Sequence, residues 1–398
     1  MTELPNIILK PTREKSVVQK HPWIFSGAIA KIEGNPASGA IIRLIDSRRQ
    51  FLAYGYYNPV SQIAVRILEW AEDNRINADW WNIRIAASIA RRNNLDSNPQ
   101  TDSYRLVFGE SDLLPGLIVD KYADYLVIQC LTSGTEQTKQ MIVSALNEQV
   151  KPTGIYERSD SDIRALEGIT PAVGTLTGKN PPEKLEICEN NNRFFANIAG
   201  GHKTGHYLDQ RENRLIAADL APGLNILDCF CYTGAFSIYA LAKGANSVTM
   251  VDSSKPALTI AHENIFLNNL LIDKAQFVEA DTFEYLRQVL AAGKTYDLII
   301  LDPPKFAASK THLKKAMAAY KDINMLAMRI LKRNGTLITF SCSGAVSAES
   351  LKIALFWAAT DANRFVQIIE RLGQGSDHPV LLSFPESEYL TGFICRVL

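Results

Sequence analysis

At 398 residues the chain is longer than one ordinary domain and reads as two or three. Its 42 basic and 42 acidic residues cancel, so no global basic field announces a nucleic-acid partner and any such surface must be local. Six scattered cysteines without paired spacing speak against a zinc ribbon or a disulfide-built scaffold. No charged, then apolar, then small-residue leader opens the chain, and no apolar run approaches the roughly 20 residues that span a bilayer, so a cytoplasmic protein without bound metal is expected.

Residues 1–72 read as short strands punctuated by Gly, Pro and Asn: IILK, WIFSGAIAKI, GAIIRLID, QFLAYGYYN and QIAVRILEW. That spacing predicts a small barrel or sandwich. Lys10, Arg13, Lys15, Lys20, Arg48 and Arg49 are interleaved here with His21, Trp23, Tyr54, Tyr56 and Tyr57. Basic plus aromatic is the composition of an RNA-contacting surface, and equally that of an aromatic core with a charged rim. The order of strands and the segment GAIIRLIDSRRQFLAYGYYNP resemble a PUA domain, a compact RNA-binding barrel, which favours the first reading.

A second domain is expected over 73–185. Trp81, Ile85 and Ile89 share one face of a helical pattern from Asn77 to Leu95. Three strand-like runs follow (YRLVFGES, GLIVDKY, YLVIQCL), then a helix near Glu136 to Val150 and a further strand, GIYERSD. This is a small α+β layer. LEICENNNRFFANI then reads as two short strands around an Asn-rich turn. After it GGHKTGHYLDQREN crowds His202, Lys203, His206, Asp209, Gln210 and Arg211 together. Those residues form either a surface helix N-capped near Asp209 or a segment folded over a ligand.

From 186 to the C-terminus a Rossmann-like α/β domain is expected. NILDCF, SVTMVD, AQFVEAD, YDLIILD, GTLITFSCS, FVQIIE and TGFICRVL are candidate strands, with helical patterns between the first six. LDCFCYTGAFSIYAL, Leu227 to Leu241, is the first strand turning sharply into a helix. The fingerprint GxGxxG, whose glycines let a backbone approach a pyrophosphate, is absent. A carboxylate at the strand end and a single close-approach glycine suit instead a zwitterionic, sulfonium-bearing nucleoside, S-adenosylmethionine. Four of the candidate strands are read as ending in Asp: Asp228, Asp252, Asp281 and Asp302. One such Asp is commonly a helix cap, but four at the carboxyl edge of one sheet suggest an acidic ligand rim. By position Asp252 accepts from the ribose hydroxyls, Asp281 from the adenine amino group, and Asp228 faces the amino acid end of the cofactor. Asp302 opens the stiff loop Asp-Pro-Pro-Lys-Phe, suited to gripping a planar base.

DPPKF, SCS at Ser341 to Ser343, KTGHYLDQR, YKDINMLA and the tail DHPV, FPE, YL, GF and CRV together resemble, over nearly the whole chain, the bacterial large-subunit ribosomal RNA cytosine-5 methyltransferases that carry an N-terminal PUA domain. The resemblance implies a PUA domain, a small central α+β domain, an S-adenosylmethionine-binding Rossmann-like class I methyltransferase domain, and formation of 5-methylcytidine in 23S ribosomal RNA. A homodimer is compatible with it. The expected cofactor-binding set is Gln210, Arg211, Asp228, Tyr232, Thr233, Gly234, Phe236, Asp252, Asp281 and Asp302.

The chemistry agrees with the residues. Carbon 5 of cytosine is a poor nucleophile, so methylating it needs prior attack at carbon 6, for which a thiolate is the natural group. Cys342, after the fifth strand and on the edge that carries Asp302, is the expected nucleophile, its flanking serines and glycine fitting an exposed turn. Cys229 and Cys231, at the strand-turn junction, read as buried. Asp302 is the candidate to hydrogen-bond or protonate N3, and Lys305 to hold a phosphate or polarise the base. Some relatives carry a second cysteine in this loop to assist release; DPPK has none, which leaves the group that removes the C5 proton open.

From Pro303 to Asn334 run Lys305, Lys310, Lys314, Lys315, Lys321, Arg329, Lys332 and Arg333 against the single acid Asp322, a candidate phosphate-binding face. Three rivals stand. Uridine-5 enzymes typically place Asn-Pro after their cysteine where Ser343-Gly344 follows here, guanine-modifying relatives with a DPP loop lack the cysteine, and a non-catalytic RNA-binding assembly factor would not need the cofactor.

Overall fold

The computed structural model describes residues 4–201, 203–306 and 313–398. The chain divides into two compact units, one of Met1–Ile187, Ala196–Leu208 and Asp377–Ser387, the other of Cys188–Phe195, Asp209–Ser376 and Glu388–Leu398. Asp377–Ser387 therefore groups with the N-terminal half although it lies deep in the expected 186–398 block. The physical tie is polar: Asp377 accepts from the Arg105 amide at 2.7 Å, and its carbonyl accepts from Arg92 at 2.9 Å.

The first unit opens with β1 (Asn6–Leu9), α1 (Lys15–Val18), β2 (Trp23–Phe25), β3 (Ile29–Glu33), β4 (Ile41–Ile45), β5 (Phe51–Tyr57) and β6 (Ile63–Glu69). They form one sheet in the order β2-β6-β5-β4-β1-β3, antiparallel except for β1 beside β4. Alternation along β4 buries Ile42 and Leu44 with Ile7, Leu9, Ala53 and Val65. Next come α2 (Ala78–Ala90), α3 (Asn93–Asp96), β7 (Ser103–Phe108), β8 (Leu117–Tyr122), β9 (Tyr125–Cys130), α4 (Ser133–Val150), β10 (Gly154–Ser159), α5 (Ile163–Leu166) and β11 (Ala172–Gly178). Asn77 caps α2 by accepting from the Trp80 amide at 2.9 Å, and a Thr132/Thr135 capping box starts α4. The second sheet runs β11-β10-β9-β8-β7, one strand more than the sequence pattern indicates. Trp81 and Ile85 of α2 pack with Ile142 and Leu146 of α4 against Leu106, Val119 and Ile128. Gly134 admits the ring of Tyr56, since a Cβ there would come within 2.0 Å of it. β12 (Leu185–Glu189) and β13 (Asn192–Ala196), whose residues Cys188–Phe195 belong to the second unit, form the expected hairpin, with Asn190 and Asn191 both left-handed at its tip.

The second unit contains α6 (Arg211–Asp219), β14 (Asn225–Cys229), α7 (Ala235–Ala242), β15 (Ser247–Asp252), α8 (Lys255–Leu267), β16 (Ala275–Glu279), α9 (Thr282–Ala291) and β17 (Tyr296–Leu301). α10 (Leu313–Ile330), β18 (Leu331–Ser341), α11 (Ala348–Ala362), β19 (Val366–Gly373) and β20 (Thr391–Val397) complete it. The sheet order is β16-β15-β14-β17-β18-β20-β19, with the first five strands parallel and β20 inserted antiparallel between β18 and β19. This is the expected Rossmann-like domain. Strand order reverses between β14 and β17, so the crevice outside their carboxyl ends is the binding position of such a sheet. Among the described residues no helix is long and apolar enough to cross a membrane, and no group of three His, Cys, Asp or Glu side chains is arranged to hold a metal ion.

Candidate active site

The loop after β14 is held in a conformation that side chains resist. Phe230, Tyr232 and Gly234 have φ of 60°, 49° and 76°, and the two non-glycine residues each cost about 1 to 3 kcal/mol there. Hydrogen bonds from the next strand impose the shape. Asp252 at the end of β15 accepts from the Tyr232 amide at 2.9 Å and, on its other oxygen, from the Ser254 amide at 2.8 Å. The Cys231 amide donates to Val251 at 3.1 Å. A carboxylate has about four lone-pair sites, so partly exposed Asp252 can still accept from a pair of hydroxyls.

Gly234 is required on two counts within the protein itself. Its φ is left-handed, and a Cβ would sit 2.9 Å from Met250 Sδ and 3.1 Å from the Ala261 Cβ. It lets the loop close on β15 and α8. Thr233 and Phe236 are also inward: Thr233 is buried with its carbonyl accepting from Asn264 at 3.0 Å, and the Phe236 ring lies 5.8 Å from that of Phe340. Of the expected first-loop set, Tyr232 is half-buried and presents its backbone to Asp252.

The four aspartates divide. Asp228 lies within β14, buried, and accepts from Ser237 Oγ at 2.6 Å. Burial, and next the charges of Asp302 and Asp252, push its carboxyl up to about 7. It stands under the loop instead of being open at the rim. Asp281 is exposed and does not end a strand, since β16 stops at Glu279; it caps α9, accepting from the Glu284 amide at 3.0 Å. One of the four therefore is a helix cap. Asp252 and Asp302 remain half-buried at the sheet edge. Asp302 accepts from Gln210 Nε2 at 3.0 Å, and Gln210 accepts in turn from Asn213 at 2.6 Å.

Within the second unit this fixes the shape of Asp209, Gln210 and Arg211, the end of the KTGHYLDQR segment. α6 starts at Arg211 with no side-chain cap, and Asp209, Gln210 and Arg211 are buried, so the capped surface helix is not what forms. Asp209 accepts from the Tyr389 hydroxyl at 2.6 Å, and Arg211 pairs with Glu212 at 2.8 Å. His202 lies outside the described residues.

β17 and β18 lie side by side, Leu301 opposite Thr339, and each ends in a loop of the expected site. The Cys342 thiol donates to the Pro303 carbonyl at 3.6 Å, joining the SCS turn to DPPKF. Cys342 is half-buried, whereas Ser341 and Ser343 are fully buried, so the exposed turn expected around it is an inward one that opens at Gly344. Cys229 and Cys231 are buried, and burial with the neighbouring Asp228 pushes both thiols well up from the ordinary range. Lys305 and Pro304 are exposed on the outside of the loop.

Part of the basic run is already paired within the protein. Lys321 pairs with Asp361, Lys332 with Asp297 at 2.7 Å, and Arg329 donates to the Asp361 carbonyl at 2.6 Å. Lys314 and Lys315 at the start of α10, and Arg333, are exposed; Lys310 lies outside the described residues. In the first unit Tyr54, Tyr56 and Tyr57 are buried, so those three aromatics are core, while Arg13, Lys15 and Arg48 are exposed around them.

Known proteins sharpen this picture. Residues 7–70 match the PUA-like domain family, and residues 169–383 match the S-adenosylmethionine-dependent methyltransferase family. The ribosomal RNA large subunit methyltransferases I of Tolumonas auensis and Photobacterium profundum are each 44% identical over 393 residues, covering 98% of this chain and 99% of theirs. That of Yersinia pestis is 43% identical over 392 residues with the same coverage. Among solved structures, a Streptococcus mutans chain described as a SAM-dependent methyltransferase superimposes with a TM-score of 0.85 at 23% identity, over 98% of this chain and 100% of that one. A methyltransferase complexed with SAH does so with a TM-score of 0.85 at 24% identity and the same coverage. These two share the fold, and S-adenosylmethionine is the cofactor of the matched family. From end to end, the chain belongs to the ribosomal RNA large subunit methyltransferase I family.

Proposed function

We propose that this chain methylates carbon 5 of a cytosine in 23S ribosomal RNA, with Cys342 as nucleophile. The observation that carries the reading is the meeting of the Cys342 thiol with Pro303 next to Asp302, on an edge where the other two cysteines are buried and protonated. Relatives of 44% identity named for large-subunit ribosomal RNA supply the substrate class.

Asp252 would hold the ribose of S-adenosylmethionine, and the strained loop from Phe230 to Gly234 its amino acid end, with Asp281 offering its exposed carboxylate to the adenine. Gln210, Arg211, Asp228, Thr233 and Phe236 would support that site from beneath. When bound, the cofactor supplies a methyl group activated by its sulfonium. The Cys342 thiolate forms a bond to carbon 6, and the carbon 5–carbon 6 electron pair shifts as N3 takes a proton or hydrogen bond from Asp302. Carbon 5, now enamine-like, becomes nucleophilic. After methylation a base, for which solvent water suffices, takes the C5 proton, the C–H electron pair re-forms the carbon 5–carbon 6 double bond, the thiolate is expelled with the electron pair of its S–C bond, and N3 returns any proton it took to Asp302. Gln210 fixes Asp302 for this role, and exposed Lys305 suits a phosphate or the base.

Mass spectrometry of 23S ribosomal RNA from a deletion strain tests the assignment. One 5-methylcytidine should disappear and return with the wild-type gene; loss of a methyluridine or methylguanosine would reassign the base. The RNA surface has its own test. RNA affinity should fall steeply with salt, and Lys314→Glu with Lys315→Glu should flatten the log–log slope by about 1.4, at roughly 0.7 per single-stranded phosphate contact. Cofactor affinity should not move. A salt-independent affinity would leave both lysines as solubilising charge.

A further inference from the structure

Tyr320, in the middle of α10, is fully buried, yet it is no ordinary core residue. Its ring centroid lies 4.9 Å from that of Phe306, the last residue of DPPKF, and Phe306 lies 6.0 Å from Phe283 of α9. Its hydroxyl faces Ser341 and feels the charges of Cys342 and Asp302. Among the described residues Ser341 is the group that this hydroxyl faces, and the contact falls short of good hydrogen-bond geometry, so the hydroxyl is only loosely held there. Ser341 in turn matters to the thiol: its Oγ accepts from the Ser343 amide at 3.5 Å, closing the turn around Cys342.

We propose that Tyr320 is a positioning residue for Cys342: its ring supports DPPKF through Phe306, its hydroxyl supports the SCS turn through Ser341, and one rigid side chain thereby sets the spacing of thiol and Asp302. The inference rests on the reading of Cys342 as nucleophile. A phenol suits the task because its two ends are a fixed distance apart and only one is polar. Burial pushes its ionisation well above the usual range, so it stays a neutral O–H and takes no proton from the substrate. Its hydroxyl is directed at Ser341, so its removal should act on chemistry and not on binding.

Tyr320→Phe in the full-length protein separates these contributions, since the ring is kept and only the hydroxyl is lost. kcat on target RNA should fall about tenfold with KM and cofactor affinity within about twofold. The rate of Cys342 alkylation by iodoacetamide, followed against pH by peptide mass spectrometry, should shift its profile. A core-packing role alone would move neither the profile nor kcat in a variant that melts like wild type. If Tyr320→Phe melts early, Ser341→Ala, which removes the other half of the contact, should show the same kcat loss. Wild-type kcat together with a wild-type alkylation profile in a folded variant overturns the proposal. Trapping on 5-fluorocytidine RNA distinguishes its failure from that of the underlying reading. If wild type and Tyr320→Phe trap at Cys342 equally fast, only the positioning role falls; if wild type forms no adduct at Cys342, both fall.

Discussion

Cys342→Ala should make no 5-methylcytidine, a loss of about 10⁴-fold or more in kcat as expected for removing a nucleophile, while cofactor and RNA affinities stay within about twofold. The argument is electronic before it is structural: without attack at carbon 6 the ring offers carbon 5 no electron pair to accept a methyl group. Geometry then selects among the thiols. Cys229 and Cys231 lie on the same edge, but burial beside Asp228 keeps them protonated, whereas half-buried Cys342 touches the loop that carries Asp302. Wild-type protein given RNA with 5-fluorocytidine at the target should be trapped as a denaturation-resistant adduct, because fluorine cannot leave as a proton does. Peptide mass spectrometry should map that adduct to Cys342, and Cys229→Ala should trap normally. An adduct on Cys229 or Cys231, or substantial activity in Cys342→Ala, would sink this mechanism even with the methyltransferase family intact.

The second large effect is expected at Asp252. Asp252→Ala should weaken S-adenosylmethionine binding by about 1 to 3 kcal/mol, or roughly 5- to 150-fold, measured by calorimetry. The upper part of that range is expected because two kinds of interaction go together. The ribose hydroxyls lose their acceptor, and the Tyr232 and Ser254 amides lose theirs, releasing a loop with two left-handed non-glycine residues. Asp252→Asn keeps one oxygen and should recover part of the loss. Unchanged affinity in a folded Asp252→Ala protein would place the ribose elsewhere.

Local pattern in the sequence was enough for the alternation of strands and helices from Asn225 onward, because periods of 2 and 3.6 residues are properties of neighbouring positions. It sufficed as well to bring the ends of the parallel strands to one carboxyl edge, since right-handed crossovers leave a sheet little choice. The place of Cys342, directly after β18, follows from the same reading. What it could not separate were residues with one local signature and different neighbours. Asp252 and Asp281 each follow a strand-like run; one pins a loop from the adjacent strand, while the other caps its own helix, and the difference lies in which amides come within about 3 Å. Tyr54, Tyr56 and Tyr57 closely follow Arg48 and Arg49, a basic and aromatic mix that a binding surface would also show, yet all three are core. β11 escaped notice because Gly174 and Gly178, with φ of 147° and 74°, dilute the β signal that pairing with β10 restores. The insertion of β20 between β18 and β19, the return of Asp377–Ser387 to the first unit, and the buried serines around Cys342 are likewise absent from any window of sequence. The sequence by itself determined the elements and the position of Cys342 after the fifth strand of the sheet; the tertiary structure decided which carboxylates reach that edge and which stand beneath it, because burial and hydrogen-bond partners are set by residues tens or hundreds of positions away.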